Sequence, residues 1–375
     1  MSSGNRLRHL AGKDTTLTQI PCRIFQTWKT KHHLPPLFSQ WSRTFRDMNP
    51  EFVYDLWDDQ DNLHFIQEEF PWFLASYQGY PAEIYRADAV RYFYLYKFGG
   101  IYADLDTECL RPLGGLLTLA DVLLGRMGSD ATFAHSIPNA IMASKPRQEF
   151  WLLVIYLLMR RATHIGRPEV LTGPVLLKTA VDLYLTRHSR FIEQWVFRFT
   201  MSEKEEARLH LAFSGEQVDG FYYGVLGHHL PVTGTHIHGS IMLQLTGSSA
   251  YTDKPLSMRV AGTLLGYTFS GTYTYQYSDR VLSGVWSAIR SASLSPVETA
   301  IVEISSKLMP DQQPEVSAST LSILDRRFWY PIDWSHGEGQ KLRDNILTGH
   351  LLDADKKRTL FPDAWMVTYW AHSWE

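Results

Sequence analysis

The chain has 375 residues, of which 45% are hydrophobic and 20% charged, and its formal net charge is −3. This composition is typical of a globular protein with a large buried core, and the small negative charge argues against non-specific nucleic-acid binding. The two cysteines, Cys22 and Cys109, are too few for a disulfide framework. Neither an apolar run near the start nor a glycosylation sequon is present. We therefore expect a cytoplasmic protein without a transmembrane segment, free or peripheral to a membrane.

The first eighty residues alternate between predicted strands and helices. Residues 1–17 are polar and are expected to form a flexible tail. Strands are predicted over Ile20–Trp28 and Phe52–Trp57, and helices over Leu37–Met48 and Asn62–Phe73. Such alternation is typical of an α/β sheet that binds a nucleotide at its strand ends.

Residues 81–113 contain the most informative pattern in the chain. Apolar residues recur at three- and four-residue steps from Ala82 to Phe98, which indicates an amphipathic helix. Gly99 and Gly100 are expected to end that helix, because glycine adopts the left-handed conformation found at helix ends. The chain is then expected to enter a short strand.

This strand ends in a pair of acids. Alternation places Tyr102, Asp104 and Asp106 on one face. Two carboxylates separated by one residue can hold Mg²⁺ or Mn²⁺ together with substrate phosphates. Asp88 and Arg91 are three residues apart on the helix, share a face, and are left to contact the sugar and phosphate of such a substrate. The setting of helix, two glycines and acid pair makes the pattern specific.

The segment RADAVRYFYLYKFGGIYADLD resembles the sugar-binding Asp-x-Asp region of a family of retaining glycosyltransferases. The family includes fungal mannosyltransferases that act on N-glycan cores and on inositol-phosphoceramide, and the large clostridial glucosylating toxins are distant relatives. The resemblance implies an α/β fold of the GT-A-like, nucleotide-sugar-binding type with a variable acceptor-side half. It also implies a metal-dependent retaining hexosyltransferase that uses Mn²⁺ or Mg²⁺. The donor would be a nucleotide-diphosphate sugar, either GDP-mannose or a UDP-sugar.

Later elements also resemble this family. A strand is predicted at Val122–Leu124, and a second at 138–146 leads into a helix over Arg147–Ala162. Residues Leu171–Pro174 are expected to open a further helix, which extends to about Leu185. Together these elements would complete the half of the protein that binds the donor.

The resemblance implies one catalytic domain over residues 18–375. Its donor-binding core would span 18–185 and be completed by 328–375, with a variable acceptor-side region at 186–327. The variable region contains β-like runs and histidines that match no zinc pattern. The runs are His236–Leu245 and Leu264–Tyr277, and the histidines are His228, His229, His236 and His238.

The resemblance assigns roles to the residues of the central stretch. Asp106 would ligate the metal directly, and Asp104 would hold the ribose and meet the metal directly or through water. Asp88 would accept hydrogen bonds from hydroxyls of the donor sugar, and Arg91 would reach the sugar or the phosphate. Trp374 completes the predicted catalytic set, because its indole N–H would donate to an oxygen of the leaving phosphate.

Four further positions are implied to bind the donor or the metal. Trp28 would stack on the base, Tyr102 would pack on the nucleoside, and Asn139 would lie near the donor sugar. These three residues equally fit packing or turn roles, so both alternatives stay open. His372 would supply a third protein ligand to the metal, because the relatives return their C-terminal segment to the metal and diphosphate.

Two other functions compete with sugar transfer. Phosphatases of the haloacid-dehalogenase type also carry Asp-x-Asp after a strand, but they have Thr or Val two residues after the second acid, where this chain has Glu108. A catalytically inactive sugar-binding module is disfavoured because the acids, Asp88, Arg91 and His372 are all present.

The acceptor is predicted from residues 186–327, which are rich in aromatic side chains and have no dense run of charge. A pocket lined in this way favours a small lipophilic molecule. A sphingolipid or glycan is the alternative, followed by a protein side chain. The aromatic residues in question are Phe221, Tyr222, Tyr223, Phe269, Tyr273, Tyr275 and Tyr277.

Overall fold

The structure is a computed structural model. The residues it describes are 19–128, 130–186, 192–199, 206–224, 227–248, 255–265, 268–277, 280–290, 296–314, 319–332 and 337–371. They comprise an α/β part, formed by residues before 187 and after 295, and an antiparallel β-barrel between them. The predicted tail 1–17 lies outside the described residues.

The α/β part is built on a mixed sheet. Its strands are β1 (Arg23–Thr27), β2 (Val53–Trp57), β3 (Gly100–Ala103), β4 (Thr107–Cys109), β5 (Val122–Gly125), β6 (Ile141–Ser144), β15 (Leu321–Leu324) and β16 (Met366–Thr368). In the described part of the chain, six of them form one sheet in the order β15-β5-β6-β3-β1-β2, and β4 pairs separately with β16. β1 is parallel to β2 and β3, whereas β6 is antiparallel to β3 and β5. The predicted α/β class is therefore confirmed.

Helices cover both faces of this sheet. They are α1 (Pro36–Met48), α2 (Asp59–Glu69), α3 (Leu74–Gly79), α4 (Glu83–Phe98), α5 (Glu149–Arg161), α6 (Pro168–Leu171), α7 (Pro174–Thr186), α8 (Pro296–Ser305), α9 (Arg326–Trp329), α10 (Gly337–Leu347) and α11 (Ala354–Leu360). The helix predicted over Asn62–Phe73 begins and ends earlier than expected, because Asp58 caps α2 at its start and Pro71 begins a 3-10 turn after Glu69. Among the described residues, no helix is both long and apolar enough to cross a membrane.

The end of α4 follows the prediction from its two glycines. Gly99 has φ +64° and Gly100 has φ +97°, values that a side chain would strain. A Cβ on Gly99 would lie 2.7 Å from the carbonyl oxygen of Ser144, and one on Gly100 would lie 2.6 Å from that of Arg23. The glycines therefore both turn the chain and let it approach the neighbouring strands. The helix itself is less amphipathic than predicted, since residues 88–96 are buried on every side.

Two hydrophobic cores flank the sheet, and alternation along the strands divides residues between them. Phe25 and Tyr102 pack with α4, α5, α7 and α8 on one face. Ile24, Ile101 and Ala103 pack on the other face with Phe45 of α1. Because Asp104 follows directly, this packing holds the first acid at the carboxyl end of β3.

Eight strands between residues 192 and 290 form a closed antiparallel barrel. Its strands are β7 (Ile192–Phe199), β8 (Glu206–Ser214), β9 (Gln217–Gly224), β10 (Gly227–Ile237), β11 (Ser240–Ser248), β12 (Pro255–Leu265), β13 (Thr268–Tyr277) and β14 (Arg280–Arg290). Each strand pairs with the next, and β14 pairs with β7, so that Trp195 lies opposite Arg290. The barrel encloses its own core. Its first and last strands are neighbours, as in a domain inserted into a host.

The barrel changes the interpretation of the variable region. The predicted run His236–Leu245 is divided between β10 and β11, and the run Leu264–Tyr277 between β12 and β13. Four aromatic residues expected to line an acceptor pocket are instead enclosed in the barrel core: Tyr222, Phe269, Tyr273 and Tyr275. Their aromatic surface therefore gives no support to an open acceptor pocket. The predicted division of the chain into one domain with an acceptor-side region stays a prediction.

Candidate functional site

The candidate site is built around the turn that follows β3. The backbone N–H of Asp104 donates to the carbonyl oxygen of Ala140 at 2.8 Å, and Thr107 N–H donates to the carbonyl oxygen of Asp104 at 3.1 Å. The Gln26 side chain donates to the same Asp104 oxygen at 3.1 Å. Since β6 is antiparallel to β3, its amino end brings Asn139 to this turn. The carboxyl ends of β1 and β3 and the start of β6 thus meet at one edge of the sheet.

Arg91 lies at the centre of the acid cluster. Its side chain is 1% exposed, its Nη2 lies 3.0 Å from Asp88 Oδ1, and its Nη1 lies 3.1 Å from Asp104 Oδ1. Nη1 also donates to the carbonyl oxygen of Asn139 at 2.9 Å, and the Asn139 amide donates to Asp88 Oδ1 at 2.9 Å. One guanidinium therefore fixes the helix acid, the strand-end acid and the loop before β6 relative to one another.

Tyr102 supports this cluster from below. Its hydroxyl donates to Asp104 Oδ1 at 2.7 Å, and the Arg91 guanidinium carbon lies 4.6 Å from its ring centre. The residue is only 1% exposed. This geometry gives Tyr102 a visible positioning role toward Asp104, and its contact with a nucleoside stays a prediction.

Asp106 is held by the C-terminal end of the described chain. We call residues 366–371 the C-terminal strap. β16, within the strap, pairs with β4 directly after the acids, and Tyr369 N–H donates to the Asp106 carbonyl oxygen at 2.9 Å. Ala371 N–H donates to Asp106 Oδ2 at 2.8 Å. The other carboxylate oxygen, Oδ1, is buried and has no hydrogen-bond partner among the described residues.

The charges of the cluster do not balance within the described residues. Asp88, Asp104 and Asp106 face one buried cation, Arg91. Burial raises the pKa of Asp88 to about 6, against the charge of Arg91 and the Asn139 hydrogen bond. Burial, together with the charge of Asp104, raises the pKa of Asp106 to about 7. Burial also raises the pKa of Asp104, opposed by Arg91 and by the Tyr102 hydrogen bond. Such a site favours a bound cation.

Trp28 lies at the same edge of the sheet, after β1. Its ring is partly exposed and meets Phe38 edge-to-face at 5.0 Å, and the Lys29 ammonium lies 5.5 Å from the ring centre. The position is compatible with the predicted stacking on a base, which stays a prediction. His372 and Trp374 lie outside the described residues. Their predicted roles stay predictions. The described chain ends at Ala371, which contacts Asp106.

The structure adds residues that the sequence did not bring to the site. Thr172 follows α6, and its hydroxyl lies 3.4 Å from Asp88 Oδ2. Glu169 on α6 is half-buried near the same acid. Arg343 on α10 donates to the carbonyl oxygens of Tyr369 and Trp370 in the strap. The Leu-Thr-Gly-Pro segment was a usable signal for Thr172, whereas Arg343 stands in a surface-like helix sequence with no such signal.

A comparison with protein families identifies the same stretch. Residues 35–126 match the model of a family described as the glycosyltransferase sugar-binding region containing a DXD motif. The chain is 38% identical to inositol phosphoceramide mannosyltransferase 3 of Schizosaccharomyces pombe over 198 residues, which cover 52% of this chain and 53% of that protein. It is 39% identical to mannosyl phosphorylinositol ceramide synthase SUR1 of Saccharomyces cerevisiae over 169 residues, 44% of this chain and 42% of that protein. The chain thus spans about half the length of these relatives.

One solved structure is also similar to part of the chain. The PaToxG glycosyltransferase has a TM-score of 0.37 and 19% identity, and the match covers 45% of this chain and 70% of that chain. Asp88, Arg91, Asp104 and Asp106 all fall inside the segment matched by the family model. The matches to the family model and to the two fungal proteins confirm the resemblance predicted from the sequence.

Proposed function

We propose that the protein transfers a hexose from a nucleotide-diphosphate sugar to a hydroxyl group, because residues 35–126 match the model of the glycosyltransferase sugar-binding region containing a DXD motif. The observation that carries the proposal is the buried acid cluster at the strand ends, in which Asp106 keeps one carboxylate oxygen without a partner among the described residues. Mannose is the proposed sugar, supported by the printed names of the relatives. The phosphatase alternative is disfavoured by the family match.

The residues present fit a divalent metal ion. A buried carboxylate oxygen without a donor and an excess of negative charge are both relieved by Mn²⁺ or Mg²⁺, which prefer oxygen ligands. Asp104 and Asp106 would hold the ion, with His372 as the proposed third ligand. When bound, the metal would neutralise charge on the departing diphosphate.

Different residues of the protein would bind different parts of the donor. Arg91 is fixed between Asp88 and Asp104, so its charge lies where a sugar phosphate would meet the acids. Asp88 is held by Asn139 and Thr172 and would accept hydrogen bonds from sugar hydroxyls. Trp28 would stack on the base, and the indole N–H of Trp374 would donate to the leaving phosphate. Retention of the anomeric configuration is part of the proposal, and NMR of the product anomer tests it.

The acceptor we propose is the headgroup hydroxyl of a membrane lipid. The relatives' names indicate inositol-containing ceramides as their acceptors. Four of the seven aromatic residues predicted to line an open pocket for a small lipophilic compound are enclosed in the barrel core, which weakens that alternative. A small lipophilic molecule and a glycan are the alternative acceptors. The predicted cytoplasmic, membrane-peripheral location also stays a prediction.

The decisive experiment is a donor panel with a matched variant. GDP-mannose, UDP-glucose and UDP-N-acetylglucosamine are incubated with the protein and Mn²⁺, and release of nucleoside diphosphate is followed with and without lipid extract. We expect release from GDP-mannose, loss of release after chelation, and labelled lipid when extract is added. The Asp106→Asn variant is expected to be inactive. No release from any donor, or full release after exhaustive chelation, would contradict the proposal.

A further inference from the structure

Beside Asp88 lies a second carboxylate, that of Glu169. Glu169 stands on α6, the short helix that precedes the Thr172-Gly173 turn. Its side chain is half-buried, and its Oε2 atom is inaccessible to solvent without a hydrogen-bond partner among the described residues. A buried carboxylate oxygen without a donor costs free energy and calls for a ligand or another explanation.

The position of α6 against α4 is fixed by several hydrogen bonds. Tyr92 donates to the carbonyl oxygen of Thr172 at 2.9 Å, and Tyr85 donates to that of Gly166 at 2.9 Å. From the other side, the Arg161 side chain donates to the carbonyl oxygen of Val170 at 2.5 Å. Glu169 therefore lies on a rigid segment, and its place next to Asp88 is built into the fold.

Gly173 brings the two acids together. A Cβ on Gly173 would lie 2.9 Å from Asp88 Oδ2 and 3.0 Å from Glu169 Cα. Asp88 Oδ2 and Glu169 Cα are thus within about 6 Å of each other, a separation that a glutamate side chain can span. The position needs glycine because any side chain would displace one acid from the other.

Two neighbouring carboxylates repel each other unless something with hydrogen-bond donors lies between them. Arg91 contacts Asp88 through Oδ1, and Asp88 Oδ2 accepts a long hydrogen bond of 3.4 Å from the Thr172 hydroxyl. Among the described residues, Glu169 Oε2 has no donor. A sugar hydroxyl is a neutral donor of the right size, and carboxylates are strong acceptors for it.

We propose that Glu169 is a sugar-binding residue that acts with Asp88 on a hydroxyl of the transferred hexose and contributes to the choice of hexose. This inference rests on the proposed function, since it assumes that a nucleotide sugar occupies the site. Glu169 would contact the sugar and not the nucleoside diphosphate. A purely structural residue would affect the binding of both ligands equally.

The test compares ligands with and without the sugar. Isothermal titration in Mn²⁺ measures the Kd of GDP-mannose and of GDP for the wild type and for Glu169→Gln, which keeps the shape and removes the charge. UDP-glucose and UDP serve as a second pair. We expect the affinity for the nucleotide sugar to fall about tenfold or more, and the affinity for the nucleoside diphosphate to change less than about twofold. Glu303→Gln, a surface carboxylate paired with Arg160, is the matched control and should change neither.

The outcomes separate this inference from the proposed function. Wild-type protein that binds no nucleotide sugar would overturn both. Normal wild-type binding with an unchanged Glu169→Gln variant, or with equal losses for the sugar nucleotide and the nucleoside diphosphate, would overturn only the role of Glu169.

Monodeoxy donors test the contact directly. The comparison also remains informative if the Glu169 variant is less stable than the wild type. Donors lacking the hydroxyl at C2, C3, C4 or C6 are titrated against the wild type and Glu169→Asp. One of the four should bind both forms with the same Kd, because the contact has been removed from both. If all four donors lose affinity in the variant as the intact sugar does, Glu169 does not contact a sugar hydroxyl.

Discussion

The fold provides a hydrogen bond to one carboxylate oxygen of Asp106 but not to the other. Ala371 N–H holds Oδ2, while Oδ1 is buried without a partner among the described residues. Burial and the charge of Asp104 raise its pKa to about 7. The fold therefore places a carboxylate where its charge is unfavourable unless a cation is bound.

Replacing Asp106 by Asn should separate binding from folding. The amide keeps the size of the side chain and can still accept from Ala371, so we expect no loss of thermal stability in the absence of metal. Without the charge, Mn²⁺ affinity should fall at least about tenfold and turnover by orders of magnitude. Titration calorimetry and thermal melting in chelator measure both. A variant that melts well below the wild type would show that Asp106 is mainly structural.

Much of this residue-scale geometry follows from local sequence. Spacing alone placed Asp88 and Arg91 on one helix face, and the structure shows them 3.0 Å apart. Sequence could not show that Asn139, 48 residues further on, would accept from the same guanidinium, because that contact depends on β6 running antiparallel to β3. Nor could it show that Tyr102 would be buried against Arg91, because that contact also joins side chains of two different elements.

The C-terminal strap is an element held in place by contacts distant in sequence. Trp370 has φ +52°, an unfavourable value for a bulky residue. Arg343, on α10, donates to the Tyr369 carbonyl oxygen at 3.2 Å and to that of Trp370 at 2.7 Å. The ring of Trp370 stacks on Tyr330 at 5.6 Å. These contacts stabilise the turn that directs the Ala371 N–H to Asp106.

Arg343→Ala should release this turn. Loss of charged donors to two carbonyl oxygens would let Trp370 relax, and the Ala371 amide would leave Asp106. We expect faster hydrogen exchange over residues 366–371 and a fall of about tenfold in Mn²⁺ affinity. Arg343→Lys should restore part of both. Arg111→Ala is the control, because Arg111 also donates to a backbone carbonyl oxygen, that of Pro362, outside the strap. Unchanged exchange in Arg343→Ala would disprove this role.

Deleting residues 372–375 should test the predicted roles of His372 and Trp374. A cut at Trp365 is unsuitable, because Met366 and Val367 are fully buried and β16 pairs with β4. The shorter deletion leaves the strap intact, so the melting temperature should stay within a few degrees of the wild type. Metal affinity and donor hydrolysis should both fall at least about tenfold. Full activity after this deletion would remove both residues from the site.

On the scale of the whole molecule, the barrel is the feature that the sequence did not predict. Its strands alternate regularly: Leu256, Met258 and Val260 are buried, whereas Arg259 and Ala261 are exposed. Many residues that face outward are short and polar, and several that face inward are glycines. Both weaken the alternation of large apolar and polar residues by which a strand is predicted from sequence. His238 and Gly239, both with positive φ, form the turn inside the run predicted as one segment. Closure depends on β14 pairing with β7 about ninety residues away, which no local pattern contains.

The ends of the barrel suggest that it can be removed. β7 and β14 are paired neighbours, and the flanking helices α7 and α8 contribute Tyr184 and Val297 to the same hydrophobic core. A short glycine-serine linker in place of residues 187–295 should therefore leave the α/β part folded. We expect the shortened protein to keep a cooperative thermal transition and to bind Mn²⁺ and GDP-mannose within about threefold of the wild type. Transfer to acceptor should be lost, because the predicted acceptor-side region is mostly gone.

Two measurements decide between the possible roles of the barrel. Calorimetry of the shortened protein reports folding and donor binding, and labelled-sugar transfer reports the acceptor side. A second protein comprising residues 187–295 should show the circular dichroism of a folded β-structure, since the barrel has its own core. Aggregation of the shortened protein would mean that the barrel is needed for the α/β fold. Transfer at the wild-type rate would instead place acceptor binding in the α/β part, near α6 and the strap, and would leave the barrel free for a separate function.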